Sequence, residues 1–328
     1  MYLVAKTLDD LLQRVYPRIL KSPSHSGASR GDNREIRGAL LKLTNPRARL
    51  SRSETRGKIF SGLGELVWYL SGSNRLDDIT PYVEEYKNNS DDGLTIFGAY
   101  GPRLLTKKAA GRRRPINQLT NIIELLDKYP GSRRAVIQLF DAADLLPPRK
   151  KEIPCTCTLQ FMVRGNKLDM HAHMRSNDAF WGLPHDIFCF TMLQEIVARS
   201  LGKDLGNYIH SVGSLHIYEK FEARAKAYLQ EGWQSTRAMP DMPKENPWDS
   251  ISKLLQIESQ ARGIASDDHD HKSLPDYWAD LARLIQIFHV KDDSAKVALI
   301  KARMSNRFYS AYISRRTPAN MKKIVSDV

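Results

Sequence analysis

Residues 175–186 read Arg175-Ser176-Asn177-Asp178-Ala179-Phe180-Trp181-Gly182-Leu183-Pro184-His185-Asp186, and they lead into a long, very apolar segment, His185 to Leu201, that Gly202 ends as a helix. Upstream lie three strand-like runs, Ala135 to Phe140, Cys157 to Val163 and Lys167 to Met174, the last two joined by a Gly165-Asn166 turn. Downstream, Tyr208 to Tyr218 reads as a further strand. Nearer the start, Thr7-Leu8-Asp9-Asp10 opens a helix of the capping-box kind, followed by Leu11, Leu12, Val15 and Ile19 at helical spacing. A polar loop over Pro23 to Asn33, a strand over Glu35 to Leu43, and helices over Lys58 to Leu70 and Ile116 to Tyr129 complete the pattern. Strands and helices mixed in this order predict an α+β fold, a mixed sheet packed with helices.

Beyond about residue 226 the character changes: Pro240, Pro243 and Pro247 mark an irregular stretch, and Ser294 to Arg315 returns to helical periodicity. We therefore expect a catalytic domain over 1–225 and a helical C-terminal extension over 226–328 packed on it. The 328 residues, 41% hydrophobic and 27% charged, describe a globular chain with a sizeable core. No apolar run approaches the roughly 18 to 20 residues of a membrane span, and the opening residues lack a signal-peptide pattern, so a cytoplasmic protein is expected. Three cysteines, Cys155, Cys157 and Cys189, are too few for a disulfide framework or a zinc site. Cys155 and Cys157, two apart, would share one face of a strand. The net charge of +13 admits nucleic-acid binding, but the basic runs 107–108, 112–114 and 149–151 are not interleaved with aromatic residues. A field that draws in phosphorylated small molecules accounts for the charge equally well.

Residues 175–186, together with Pro154-Cys155-Thr156-Cys157-Thr158-Leu159-Gln160-Phe161, resemble the active centre of the thymidylate synthase superfamily. The resemblance runs over about residues 28 to 225, with several motifs in the same order, and is closest to the CMP and dCMP 5-hydroxymethylases. It implies a thymidylate synthase-like fold with Cys155 as the nucleophile, adding as thiolate to carbon 6 of a pyrimidine so that carbon 5 can attack an electrophile. It implies Arg175 beside both the thiol and the nucleotide phosphate. Arg133 and Arg134 match paired phosphate-binding arginines that cross from a partner subunit, which implies a homodimer. Arg30 is a further phosphate candidate, with Arg34 competing. His216 and Tyr218, two apart on a strand, match the pair that holds the sugar. Glu65 matches the glutamate that organises proton transfers through water, and Tyr100 the tyrosine implicated at the carbon 5 proton. Asp178 matches the residue that binds the pterin, and Gln160 and Ser176 line the nucleotide pocket. The implied co-substrate is 5,10-methylenetetrahydrofolate, with no metal.

The position matching Asp186 reads the base, and the uracil enzymes of this superfamily carry asparagine there. An amide both accepts and donates; a carboxylate only accepts unless protonated. Asp186 thus suits cytosine, whose amino group donates where uracil has a carbonyl. Thr156 replaces the family's histidine after the nucleophile, as in cytosine-directed members. The chain also ends in Lys322-Lys323-Ile324-Val325-Ser326-Asp327-Val328 rather than in the short apolar tail that excludes water in the uracil methylases. With water admitted, the exocyclic methylene becomes hydroxymethyl rather than methyl. These features point to a CMP or dCMP 5-hydroxymethyltransferase. Arg133 and Ser176 resemble the deoxynucleotide members, while Leu183-Pro184-His185-Asp186 and the long C-terminal region resemble ribonucleotide enzymes of nucleoside-antibiotic biosynthesis. The competing readings are a cytidylate or deoxyuridylate 5-methyltransferase and, from another class, a basic nucleic-acid-binding protein on a retired enzyme scaffold. Asp267-Asp268-His269-Asp270-His271 is read as a solvated loop, and His171 and His173 as structural or pocket-lining residues.

Overall fold

A computed structural model describes residues 1–26, 31–108, 111–263 and 273–313. The chain runs β1 (Tyr2–Ala5), α1 (Leu8–Leu20), β2 (Ser24–His25), β3 (Asn33–Leu43), α2 (Ile59–Ser71), α3 (Leu76–Ile79), α4 (Tyr100–Leu105), α5 (Gln118–Lys128) and β4 (Val136–Gln138). It continues with β5 (Thr156–Arg164), β6 (Lys167–Asp178), α6 (Gly182–Ser200), β7 (Asp204–Tyr218), α7 (Glu219–Gln230), α8 (Trp248–Gly263), α9 (Asp276–His289), α10 (Ser294–Ala302) and α11 (Ser310–Ile313). The strands form one sheet in the order β1-β3-β7-β6-β5-β4, with β2 added beside β3. Pairs β1/β3 and β6/β7 are parallel and the others antiparallel, so the sheet is mixed as expected.

One face of this sheet is covered. Along β6, Leu168, Met170, Ala172 and Met174 are buried whereas His171 is half-buried and His173 and Arg175 are exposed, the two-residue period of a strand with one packed side. Against the packed side lies α6, whose residues from Leu183 to Arg199 are buried except Asp186, so it is a core helix rather than an amphipathic one. Its charge at Glu195 is paired inside: Glu195 binds Arg49, and both side chains are fully buried. The Glu195 carboxylate also accepts from the backbone of Met242 at 3.1 Å, tying the irregular stretch after α7 to the core.

Local signals set most boundaries. Thr7 caps α1 by accepting from the Asp10 N–H at 3.0 Å, a contact of the kind that contributes about 1 kcal/mol. Asn117 does the same for α5 through Thr120. Gly202, at φ +64°, stops α6 where only glycine turns left-handed without cost. The differences from expectation are local. Within the expected polar loop, Ser24 and His25 pair with β3; β4 is shorter than the run that suggested it; β6 extends to Asp178 and α6 begins at Gly182, because Pro184 fits the first helical turn.

The boundary expected after residue 225 falls inside α7. Further on, α8 and α9 pack on α2: Phe288 stacks on Tyr82 at 4.7 Å and on Phe60 at 5.9 Å, and the Tyr82 hydroxyl donates to Glu258 at 3.0 Å. Gly64 makes room for this, since a Cβ there would come within 2.1 Å of the Tyr82 ring. Among the described residues no helix is long and apolar enough to cross a membrane. Arg30, the loop 267–271 and the C-terminal residues 322–328 lie outside the described residues.

Candidate active site

Four elements meet around Cys155, which immediately precedes β5. The expectation that Cys155 and Cys157 share a face assumed unbroken alternation; instead Thr156 pairs with Met174 and Thr158 with His173, leaving Cys157 as the extra residue of a bulge. The bulge turns the Cys157 carbonyl toward β4, where it accepts from the N–H groups of Leu139 and Phe140. Burial pushes the thiols of Cys157 and Cys189 up, and the nearby Glu65 carboxyl adds to the rise at Cys189, so both are held as inert thiols. Cys155 is half-buried, and the Arg175 guanidinium on β6 lies 3.7 Å from its sulfur. Arg175 is oriented by the carbonyls of Pro154, at 3.0 Å, and Ile153, at 3.2 Å.

On the next residue the loss of the family histidine has a structural counterpart. Thr156 donates to the Tyr100 phenol twice, from its N–H at 3.1 Å and its hydroxyl at 2.9 Å. With its oxygen so occupied, Tyr100 at the start of α4 has its own proton left to direct elsewhere. Burial pushes the Tyr100 phenol well up, and the proximity of Cys155 and Asp186 adds to this.

Glu65, in α2, is buried, and the Tyr86 hydroxyl donates to it at 2.7 Å. Burial raises its carboxyl above the usual range, while hydrogen bonds from Tyr86 and Tyr69 pull it back. Asp186, on the first turns of α6, is pushed well up by burial and then by the nearby Glu65. Asn177 donates to Asp186 at 2.7 Å, and the His210 ring holds the other end of the Asn177 amide at 3.0 Å.

The remaining expected residues lie on β5, β6, β7 and the segment before β4. His216 and Tyr218 at the end of β7 are neighbours, with ring centroids 4.8 Å apart at 78°. Asp178 accepts from the N–H groups of Phe180 at 2.7 Å and Trp181 at 3.0 Å, steering the chain into α6. Burial raises its carboxyl, against the pull of those N–H groups and of His216. Ser176 lies beside Ser214 in register, half-buried. The Gln160 amide donates to the Arg133 carbonyl at 2.9 Å, so its polar head secures the segment that carries Arg133 and Arg134, both exposed. Arg34 is engaged with Glu222 at 2.7 Å and with the Ser22 carbonyl.

Sequence reading left three groups unassigned here. Tyr86 and the Asn177–His210 pair carried no motif signal. Arg56 is the third: it is buried against Phe180, 4.8 Å from the ring centroid, and its Nε and Nη1 have no hydrogen-bond partner among the described residues. Lys58 lies over Trp181, which stacks on Phe221, and Arg224 lies over Phe180. Buried donors left unpaired are costly, and cations among flat rings suit a ligand that combines an aromatic body with carboxylates. His185 in the same wall is neutral, its pKa lowered to about 4 by burial, so it donates to the Trp181 carbonyl and accepts from Ser61.

The thymidylate synthase family profile matches residues 36–259. Deoxyuridylate hydroxymethyltransferase of Bacillus phage SP01 is 30% identical over 316 residues, covering 88% of this chain and 82% of that protein. The protein of the same name from Delftia phage PhiW-14 is 30% identical over 213 residues, 61% of this chain and 57% of that protein. The mixed seven-stranded sheet with its packed helices agrees with the match. On these grounds the chain belongs to the thymidylate synthase family.

Proposed function

We propose that the protein is a cytidylate 5-hydroxymethyltransferase, with dCMP as the favoured nucleotide. The observation that carries the base assignment is Asp186: Asn177 donates to one of its oxygens at 2.7 Å, and desolvation with the nearby Glu65 pushes its carboxyl well above the ordinary range, which favours the protonated form. A protonated acid can donate to the cytosine ring nitrogen and accept from the exocyclic amine, a pattern that uracil does not match. The names of the two phage relatives support hydroxymethyl as the product, and the deoxyuridylate in those names favours the deoxy sugar. The same names make deoxyuridylate the competing substrate.

The chemistry follows from the residues around the pocket. Cys155, beside the Arg175 guanidinium, adds to carbon 6 of the base and raises electron density at carbon 5. Methylenetetrahydrofolate, when bound, supplies the one-carbon unit. Arg56, Lys58 and Arg224, with the Trp181 and Phe221 rings, fit its carboxylates and aromatic body, and Asp178 fits the pterin. A water that Tyr100 orients by donating its own phenol hydrogen takes up the proton that leaves carbon 5, and Glu65 holds the water that adds to the exocyclic carbon, taking a proton from it. His216 and Tyr218 hold the sugar. The exposed Arg133 and Arg134, with Arg30, bind phosphate, the first two from a partner subunit, with the uncovered sheet face as the dimer contact.

The test is to incubate the protein with methylenetetrahydrofolate and, separately, CMP, dCMP, UMP and dUMP, and to weigh the products. A gain of one hydroxymethyl group on dCMP, with at least tenfold less on dUMP, is expected. Methyl as the product would reject the hydration step, and preference for dUMP would reject the base assignment.

A further inference from the structure

A chain of buried side chains leads to Asp186. Tyr208 and His210, two apart on β7, are both fully buried on the face that packs against α6. The Tyr208 hydroxyl is 2.7 Å from His210 Nδ1, His210 Nε2 is 3.0 Å from Asn177 Oδ1, and Asn177 Nδ2 is 2.7 Å from Asp186 Oδ2. Each contact has one consistent direction. Asn177 Oδ1 can only accept, so His210 Nε2 carries the hydrogen; the bare Nδ1 of a neutral imidazole then accepts the Tyr208 proton. All three bonds therefore point the same way, from Tyr208 to Asp186.

We propose that Tyr208 and His210 are positioning residues that lock the Asn177 amide in one orientation, so that Asp186 always offers an acceptor to Asn177 and turns its remaining capacity to the base. The proposal rests on Asp186 meeting the base. Two further observations support it. His210 stays neutral, its pKa lowered to about 3 by burial first and then by His171 and His173, so a second donor toward Tyr208 does not arise at working pH. Gly182 also packs close against the pair: a Cβ there would come within 2.8 Å of Asn177 Nδ2 and 3.4 Å of Asp186 Oδ2. Without His210 the amide can flip, present its oxygen to Asp186, and compel that acid to donate backward instead of toward the base.

The experiment compares the dCMP-to-dUMP ratio of kcat/KM in the wild-type protein, His210→Phe, His210→Gln and Tyr208→Phe. Phenylalanine at 210 should move the ratio toward one by about tenfold or more, the factor that one mispaired buried hydrogen bond carries, and glutamine, which keeps a donor, should restore most of it. A general loss of packing would instead lower both substrates in proportion. If His210→Phe does not fold, the ¹⁵N shifts of His210 in the wild-type protein and the ratio in Tyr208→Phe decide. A ratio unchanged in a folded variant, or a His210 protonated on Nδ1, overturns the relay. A wild-type preference for dUMP would overturn the cytidylate reading alone, because the relay still requires that preference to collapse in His210→Phe.

Discussion

Asp186→Asn should turn the base preference round, and the surroundings dictate how. Asn177 Nδ2 reaches residue 186 at 2.7 Å as a donor, and His210 keeps that amide from flipping. The oxygen of a new asparagine must therefore face Asn177, which sends its NH2 to the other side, toward the base. Opposite cytosine this sets donor against donor; opposite uracil it meets a carbonyl. Each mispaired buried group costs about 1–3 kcal/mol. One mispairing created for dCMP and one relieved for dUMP give a swing of about 2–6 kcal/mol, on the order of 30-fold to 10⁴-fold in the ratio of kcat/KM at about 1.4 kcal/mol per factor of ten. The assay is competition: equimolar dCMP and dUMP with methylenetetrahydrofolate, the two hydroxymethylated products separated by mass. A ratio that moves less than about threefold, in a variant that retains the wild-type circular dichroism, refutes the argument that residue 186 reads the base.

Three other outcomes follow from the same geometry. Cys155→Ser should abolish solvent exchange of the carbon 5 hydrogen of the nucleotide, followed with a tritium label; surviving exchange would mean another nucleophile. Glu65→Gln should lower kcat by about 10²–10⁴-fold and yet raise thermal stability at pH 8. The sign follows from the raised pKa of Glu65: the folded state binds the proton more tightly, so wild-type stability is intact below the unfolded value of about 4.3 and declines as pH climbs through the folded one. The neutral variant escapes that decline, so its melting advantage should vanish near pH 4; an equal advantage at both pH values would contradict the burial argument. Glu195→Ala should cost about 3–5 kcal/mol in denaturant unfolding, because the fully buried Arg49 then keeps its charge without a partner; a loss under about 1 kcal/mol would show that the pair is not what holds Arg49 in the core.

What was legible in the chain follows from how far each feature reaches. The thiol, Arg175 and Asp186 sit in two short segments whose order carries the chemistry, and the hydrophobic periods of β6, α6 and β7 fixed the sheet and its central helix to within a few residues. The bulge at Cys157 was invisible because it depends on two residues facing one across β5 and β6, a pairing that no single strand records. The relay behind Asp186 was hidden for a stronger reason. Asn177 is a plain letter inside the motif, and its partner His210 lies 33 residues away. Even a correct strand register would not have joined them, since Asn177 lies opposite Leu215 and His210 opposite Ala172. Only the folded side chains, with His210 Nε2 3.0 Å from Asn177 Oδ1, bring them together. Arg56 shows the same limit from the energetic side: a solitary arginine in a polar stretch reads as surface, and only its burial, with two nitrogens lacking a hydrogen-bond partner among the described residues, sets it apart. The residues that react can thus be read from short motifs, whereas those that hold the reacting groups in one hydrogen-bonding state emerge only from the three-dimensional packing.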